Sequence, residues 1–240
     1  MSDVTICIPS YEMNGKGHVY LEYLLDSIAY QEGVDFDVIV SDQSTDDKIV
    51  ELCKKYDFVE CLQFDGPRNA CHNTNNAMKH AKGKVVKIMF ADDWFVSPSA
   101  LKNCTQPILE GAKWLASGCT HSDGIKRDEI DGRCYYVGLM KPRYHSEIHY
   151  GKNTISSPSV ISVINDDVPE FDENVCLLLD VDWYKRLELK YGPPHITETF
   201  NICNRVHSDS LQGIMGDDLQ NVLEEEKKYI SKKYEGILNG

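Results

Sequence analysis

The run Lys84-Val85-Val86-Lys87-Ile88-Met89-Phe90-Ala91-Asp92-Asp93-Trp94 constrains this chain more than any other stretch. It is short, strongly apolar and ends in two adjacent carboxylates, the pattern of a buried strand that delivers acids to the carboxyl edge of a sheet. In open α/β folds that edge is where ligands bind. Two carboxylates on a rigid strand tip can hold a hard divalent cation, and such a cation neutralises a diphosphate. Adjacent acids after a strand also make ordinary solvated turns, so the pair gains meaning from whatever else reaches the same edge.

Upstream, the chain repeats one unit. Residues 4–8 form an apolar run closed by Pro9, with Pro9-Ser10-Tyr11-Glu12 in the loop at its carboxyl end. Leu21, Leu24, Leu25 and Ile28 recur at helical spacing within 19–31, and Gly33 closes that segment. Residues 36–41 read as a second strand ending at Asp42, after which Ser44 or Thr45 can cap a helix carrying Ile49, Leu52, Cys53 and Tyr56 on one face. A third strand over 58–64 and a helix over 73–82, closed by Gly83, lead into the acid-tipped run. The rhythm βαβαβαβ implies parallel strands, right-handed crossovers and helices on both faces. Downstream, the pattern predicts a helix from Ser97-Pro98 to Glu110, strands over 114–119, 159–164 and 197–206, and a helix over 180–190. Residues 120–153 look irregular and, with Asp123, Arg127, Asp128, Glu129 and Asp131, exposed. A charged amphipathic helix over 217–234 closes the chain, with Glu224-Glu225-Glu226-Lys227-Lys228 as its solvated face.

With 240 residues the chain suits one large domain. Its net charge of -13 argues against nucleic acid or an anionic membrane as a general partner. An anionic ligand must therefore be met locally, by a metal or by helix N-termini. Nine cysteines without a Cys-x-x-Cys pair fit reduced thiols. Met1 leads directly into Asp3-Val4-Thr5-Ile6-Cys7-Ile8, with no charged and apolar leader, and no run reaches transmembrane length. The expectation is a soluble, cytoplasmic protein.

Parallel strands put their carboxyl ends on one edge, so the clusters at Tyr11, Asp42 and Asp92-Asp93 should converge. Tyr11 can cover a base, Asp42 can accept from a base N–H, and Asp92 can hold a cation against phosphates; each also has a plain role as a loop anchor or turn cap. Neither Gly-x-Gly-x-x-Gly after the first strand nor Gly-x-x-x-x-Gly-Lys-Ser/Thr occurs, which leaves the phosphates to the acid pair and its metal. His145 and His149 stand four apart and read as part of a solvated lid rather than a zinc site. Cys71-His72 lacks an orienting acid, and Trp94 and Trp183 can stack on a ligand or sit in the core.

Taken in order, Thr5-Ile6-Cys7-Ile8-Pro9-Ser10-Tyr11, then Val38-Ile39-Val40-Ser41-Asp42-Gln43-Ser44-Thr45-Asp46, then Ala81-Lys82-Gly83 leading to Met89-Phe90-Ala91-Asp92-Asp93, resemble family 2 glycosyltransferases of the GT-A fold. Phe171-Asp172-Glu173, Asp180-Val181-Asp182-Trp183-Tyr184-Lys185-Arg186-Leu187 and Arg205-Val206-His207 continue the resemblance. It implies a single α/β domain with a Rossmann-like, mostly parallel central sheet flanked by helices. Residues 1–95 would form a nucleotide-binding half and 96–215 an acceptor-binding half, with 216–240 a C-terminal helix.

The resemblance also implies roles. Tyr11 and Asp42 match positions that hold the nucleotide base, Pro9 and Glu12 flank that pocket, and Asn75 falls where the family contacts the nucleotide. Asp92 matches the metal-binding acid of Asp-x-Asp, and His207 matches a histidine that completes the metal shell. Phe90 stands where the first acid of that motif would be, so the contact that acid makes is lost or taken by Asp93. Asp180 matches the catalytic base, with Leu179 where an acid usually precedes it. The implied activity is inverting transfer of a sugar from a nucleotide donor, a UDP-sugar favoured, to a hydroxyl of a glycan acceptor in glycan biosynthesis. The metal is Mn2+ or Mg2+. A retaining transferase, a nucleotidylyltransferase and a catalytically inactive sugar-nucleotide or glycan-binding module are the competing readings.

Overall fold

The computed structural model describes residues 2–123, 136–210 and 215–238. The first half follows its periodicity: β1 (Val4–Ser10), β2 (Phe36–Asp42), β3 (Val59–Gln63) and β4 (Val85–Ile88) run parallel, in the spatial order β3-β2-β1-β4. Their crossovers contain α1 (Gly17–Ala29), α2 (Lys48–Cys53) and α3 (Ala70–Lys79). Leu21, Leu24, Leu25 and Ile28 of α1 are buried as the helical spacing requires.

The second half extends the same sheet. It contributes β5 (Trp94–Phe95), α4 (Ala100–Leu109), β6 (Trp114–Ser122), β7 (Tyr136–Met140), β8 (Ile161–Ile164), α5 (Leu179–Tyr191), β9 (His195–Arg205) and α6 (Leu219–Leu238). β8 lies antiparallel between β4 and β6, β9 pairs with β6 in parallel, and β5 and β7 complete a mostly parallel, curled sheet flanked by helices. No described helix is long and apolar enough to cross a membrane. The described cysteines are free thiols.

Several boundaries differ from the sequence pattern for physical reasons. Pro9 continues β1 instead of closing it: pairing with β4 stops at Cys7 opposite Ile88, while Pro9 still pairs with Ser41 of β2. Sheet lies on only one side of it, and its missing N–H breaks no ladder bond. α2 starts at Lys48, uncapped by Ser44 or Thr45, because Ser44 turns back to Asp42. α3 starts three residues early, where Asn69 accepts from the Cys71 N–H at 2.6 Å. Part of the stretch read as irregular is strand, since β6 runs on to Ser122 and β7 pairs with it. Arg127, Asp128, Glu129 and Asp131 lie outside the described residues. α6 turns Glu226, Ile230 and Tyr234 inward at four-residue spacing, so Glu226 is buried within the run read as solvated.

Candidate functional site

Because β2, β1 and β4 are parallel neighbours, Asp42, Ser10 and the tip of β4 come to one rim. Gly17 packs the start of α1 against the turn after β1 so closely that an added Cβ would sit 2.0 Å from the Tyr11 carbonyl oxygen. That turn holds Tyr11 half-exposed, and its phenol is pushed up by burial first and then by the carboxylates of Asp92, Glu12 and Asp209. Those acids therefore surround it. Asp42 is buried, and its Oδ1 accepts from the Ser44 N–H at 2.9 Å and the Ser44 hydroxyl at 2.6 Å. Burial raises its carboxyl above the usual range in spite of those bonds. Pro9 is buried in the sheet just below, and Glu12 ties the rim together by accepting from Thr45 at 3.3 Å and Arg68 at 3.2 Å.

At the tip of β4 the two acids part company. Asp92 keeps its side chain partly open and meets His207 Nε2 with Oδ2 at 2.9 Å, while its carbonyl accepts from Arg205 Nε at 3.0 Å. The Arg205 guanidinium is caged by the rings of Tyr20, Tyr23 and Trp94, at 5.0, 5.5 and 4.7 Å. On its far side the buried His207 Nδ1, which has no hydrogen-bond partner among the described residues, looks toward Asp209 at 3.9 Å. Asp209 gathers Lys16 at 2.7 Å, Tyr20 at 3.1 Å and Asn14 at 3.2 Å, with Lys16 foremost in holding its carboxyl down at about 2.

Asp93, expected as a metal ligand, is buried at the tip of β4. Both its oxygens are already used, Oδ1 by the Arg205 N–H at 3.0 Å and Oδ2 by Asn204 at 2.8 Å and Ser157 at 3.2 Å. Burial, then the charge of Asp92, pushes its carboxyl up to about 7. Asp92 and His207 fit a cation as one carboxylate and one imidazole nitrogen, Nε2, that face each other, while Nδ1 points the other way, toward Asp209. Among the described residues no three His, Cys, Asp or Glu side chains cluster closely enough to hold a metal alone. A cation here would complete its shell with water and phosphate oxygens, the habit of magnesium and its relatives.

Asp180, near the start of α5, reaches the same rim through a chain of hydrogen bonds. Its Oδ2 accepts from Asn153, whose amide also donates to the Ser156 carbonyl at 2.9 Å; Ser156 donates to Asn204 at 3.0 Å, and Asn204 to Asp93. Ser156 holds φ 105°, a conformation costly for a residue with a side chain, and Tyr184 pins its carbonyl at 2.7 Å. Burial pushes the Asp180 carboxyl up to about 6, against the bonds from Val181 and Asn153. Asp182, two residues on, points into the interior, where Lys233 and Tyr234 donate to it at 2.6 and 2.9 Å.

Asn75, expected at the nucleotide, lies within α3. It is 1% exposed and spends its amide on the Phe171 backbone, donating at 3.0 Å and accepting at 2.8 Å, so it staples α3 to the segment before α5. Its neighbours on α3 face the rim instead, Asn73 donating to the Ser10 carbonyl and Asn76 to the Ser41 hydroxyl. His149 is buried against Tyr150 and Tyr234 rather than in a solvated lid. Trp183, fully buried and stacked on Phe171, and Trp94 are core. Sequence reasoning missed Asn153, Ser156, Ser157 and Asn204, for which no local pattern exists. It also passed over Lys87, a lysine inside an apolar run, which is fully buried and donates to the Ser159 and Ile161 carbonyls beneath Asp93. Two shallow clefts, of about 230 Å3 beside Asp37 and Asp57 and about 270 Å3 beside Tyr23 and Tyr30, lie away from this rim.

Comparison with known proteins bears on this geometry. The sequence model described as Glycosyl transferase family 2 matches residues 5–156. The uncharacterized protein MT1568 of Mycobacterium tuberculosis is 28% identical over 203 residues, covering 78% of this chain and 62% of that protein. The chain thus spans less than two thirds of that relative's length. Among solved structures, S. aureus TarS 1–349 superposes with a TM-score of 0.60 at 18% identity, over 95% of this chain and 69% of that one. It has also been solved in complex with UDP and with UDP-GlcNAc. The mannosyltransferase PcManGT of Pyrobaculum calidifontis, in complex with GDP-Man and Mn2+, gives 0.55 at 18% identity, over 82% of this chain and 56% of that one. At such identities the likeness to these structures shows a shared GT-A fold.

Proposed function

The chain belongs to glycosyl transferase family 2, and from that premise we propose that it transfers a sugar from a nucleotide donor, a UDP-sugar ahead of a GDP-sugar, to a hydroxyl of a glycan acceptor with inversion. One observation carries this reading. The loop of Tyr11, Asp42 and the Asp92–His207 pair lie at one rim, and a chain of hydrogen bonds through Asn153, Ser156 and Asn204 joins Asp180 to Asp93 at the tip of β4.

Tyr11 covers the base and Asp42 accepts from it, with Pro9 and Glu12 shaping the pocket. Asp92 and His207 would hold Mn2+ or Mg2+, which when bound offsets the charge on the departing diphosphate. Asp180 accepts the proton of the acceptor hydroxyl as its oxygen attacks the anomeric carbon. The bond from that carbon to the diphosphate oxygen breaks on the opposite face, and the nucleoside diphosphate leaves with the bonding pair. A single displacement inverts the anomeric configuration. A carboxyl near 6 is matched to this task, since at neutral pH it is ionised and still basic enough to take a proton.

Thermal-shift measurements with UDP, UDP-N-acetylglucosamine and GDP-mannose, with and without manganese, test the donor side, because a ligand of the folded state raises Tm. Release of the free nucleoside diphosphate tests turnover. The expected result is a manganese-dependent shift together with slow donor hydrolysis. No shift with any of the three sinks the reading, and binding without turnover in the presence of glycan acceptors identifies a sugar-nucleotide-binding module instead.

A further inference from the structure

Immediately before α5, the peptide N–H groups of Cys176, Leu177 and Leu178 point at one spot, and the Glu226 carboxylate of α6 fills it. Its Oε1 accepts from Cys176 at 2.7 Å, and its Oε2 from Leu177 at 3.0 Å and Leu178 at 2.9 Å. Helix starts leave such donors orphaned, and Leu178, at the N-cap position, offers no capping side chain of its own. A carboxylate from another element takes that role here. Successive N–H groups around one anion form a nest, and its bonds to a charged acceptor are stronger than neutral ones.

The rest of α6 grips the same region. Lys233 bridges Asp172 and Asp182 at 2.7 and 2.6 Å, Tyr234 donates to Asp182, and Tyr229 donates to Asp172 at 3.0 Å. Asp180 lies in the middle of the clamped stretch, two residues after the last amide that Glu226 holds. All of these α6 side chains lie beyond residues 5–156, the stretch matched by the family.

We infer that Glu226 is a positioning residue for Asp180: by holding the amides of 176–178 it fixes the first turn of α5 and so the direction of the Asp180 carboxylate. This rests on the reading in which Asp180 is the base. Without the carboxylate, three N–H groups, those of Leu177 and Leu178 buried, lose their acceptor, and the segment must shift to satisfy them. A shift at the start of α5 moves the base and leaves the donor pocket at Tyr11, Asp42 and Asp92 untouched.

The test follows manganese-dependent hydrolysis of whichever of UDP-N-acetylglucosamine and GDP-mannose the wild type turns over. Glu226→Ala lowers kcat by about 10- to 100-fold with the donor KM changed less than about twofold, the cost of misplacing a reacting group by about 1 Å. Glu226→Gln keeps the volume and one acceptor oxygen, and its kcat falls between wild type and alanine. Tyr229→Phe removes a contact of the same clamp that does not touch the nest, and it keeps wild-type kcat. A wild-type kcat in Glu226→Ala, or parallel losses of kcat and donor binding, overturns the inference. If the alanine variant does not fold, the glutamine variant decides: lowered kcat at unchanged donor KM supports the inference, and wild-type kcat overturns it. Asp180→Asn is measured alongside. If it retains turnover, the assignment of the base falls; if it is inactive while both Glu226 variants match wild type, only the role of Glu226 falls.

Discussion

The tip of β4 and the start of α5 each carry two acids close together in sequence, and in both places the fold gives the two opposite work. At β4, Asp93 is enclosed by neutral donors, the Arg205 N–H, Asn204 and Ser157, while Asp92 stays partly open beside His207. At α5, Asp182 is buried against Lys233, Tyr234 and Arg186, while Asp180 accepts from the neutral Asn153 amide and the Val181 N–H. One acid of each pair is anchored by several donors, and the other is the one proposed for chemistry. The anchors differ in kind. Neutral donors hold Asp93 with its carboxyl raised to about 7, whereas Asp182 sits among charges, where loss of one partner strands another.

The sharpest way to break the comparison is to exchange the roles within the α5 pair. Asp180→Asn is expected to lower transfer by about 10²- to 10⁴-fold, the usual worth of a general base, with the donor thermal shift unchanged. Asp182→Ala should do the reverse: it removes one of the two buried carboxylates that hold Lys233, and the carboxylate acceptor of Tyr234, and lowers stability by about 1–3 kcal/mol in urea unfolding, with donor affinity retained in whatever fraction folds. A variant that loses transfer and keeps its stability would put the base at 182.

At β4 the same exchange has smaller consequences. Asp92→Ala should remove the manganese-dependent part of the UDP-induced Tm rise; persistence of that increment would move the metal elsewhere. Acid titration sharpens the α5 side. Asp180 works ionised and has its carboxyl raised from 3.8 to about 6, so the transfer rate should be level above that pH and fall by about tenfold per unit below it. For stability the sign is opposite, since the folded state binds this proton more tightly than the unfolded chain and the group favours folding at low pH. A rate profile flat down to pH 5 would remove Asp180 as the base. Smallest is Asp93→Asn, whose amide cannot accept everything the carboxylate does; a loss of about 1–3 kcal/mol with donor binding intact is expected.

Much of this architecture is legible from local pattern. The α1 stripe and the apolar runs of β1, β2 and β4 needed only periodicities of 3.6 and 2, and parallel pairing then put Tyr11, Asp42 and Asp92 on one edge. The site's inner wiring was not legible. Asn75 carries a polar side chain on a short helix, and nothing nearby in sequence says that Phe171, 96 residues on, will take its amide. Glu226 had a usable signal, because it shares the inward spacing of Ile230 and Tyr234, yet a run of five charges reads as a solvated face.

By itself, the sequence determined the strand and helix rhythm, the edge on which the acids gather and the family. Those follow from side-chain periodicity and turn chemistry, which act over a few residues. Tertiary structure alone decided which acid of each pair is held by the larger set of donors. That choice depends on donors far along the chain, such as Asn204 for Asp93 at 111 residues and Lys233 for Asp182 at 51, since a buried carboxylate settles wherever the closed fold supplies its hydrogen bonds.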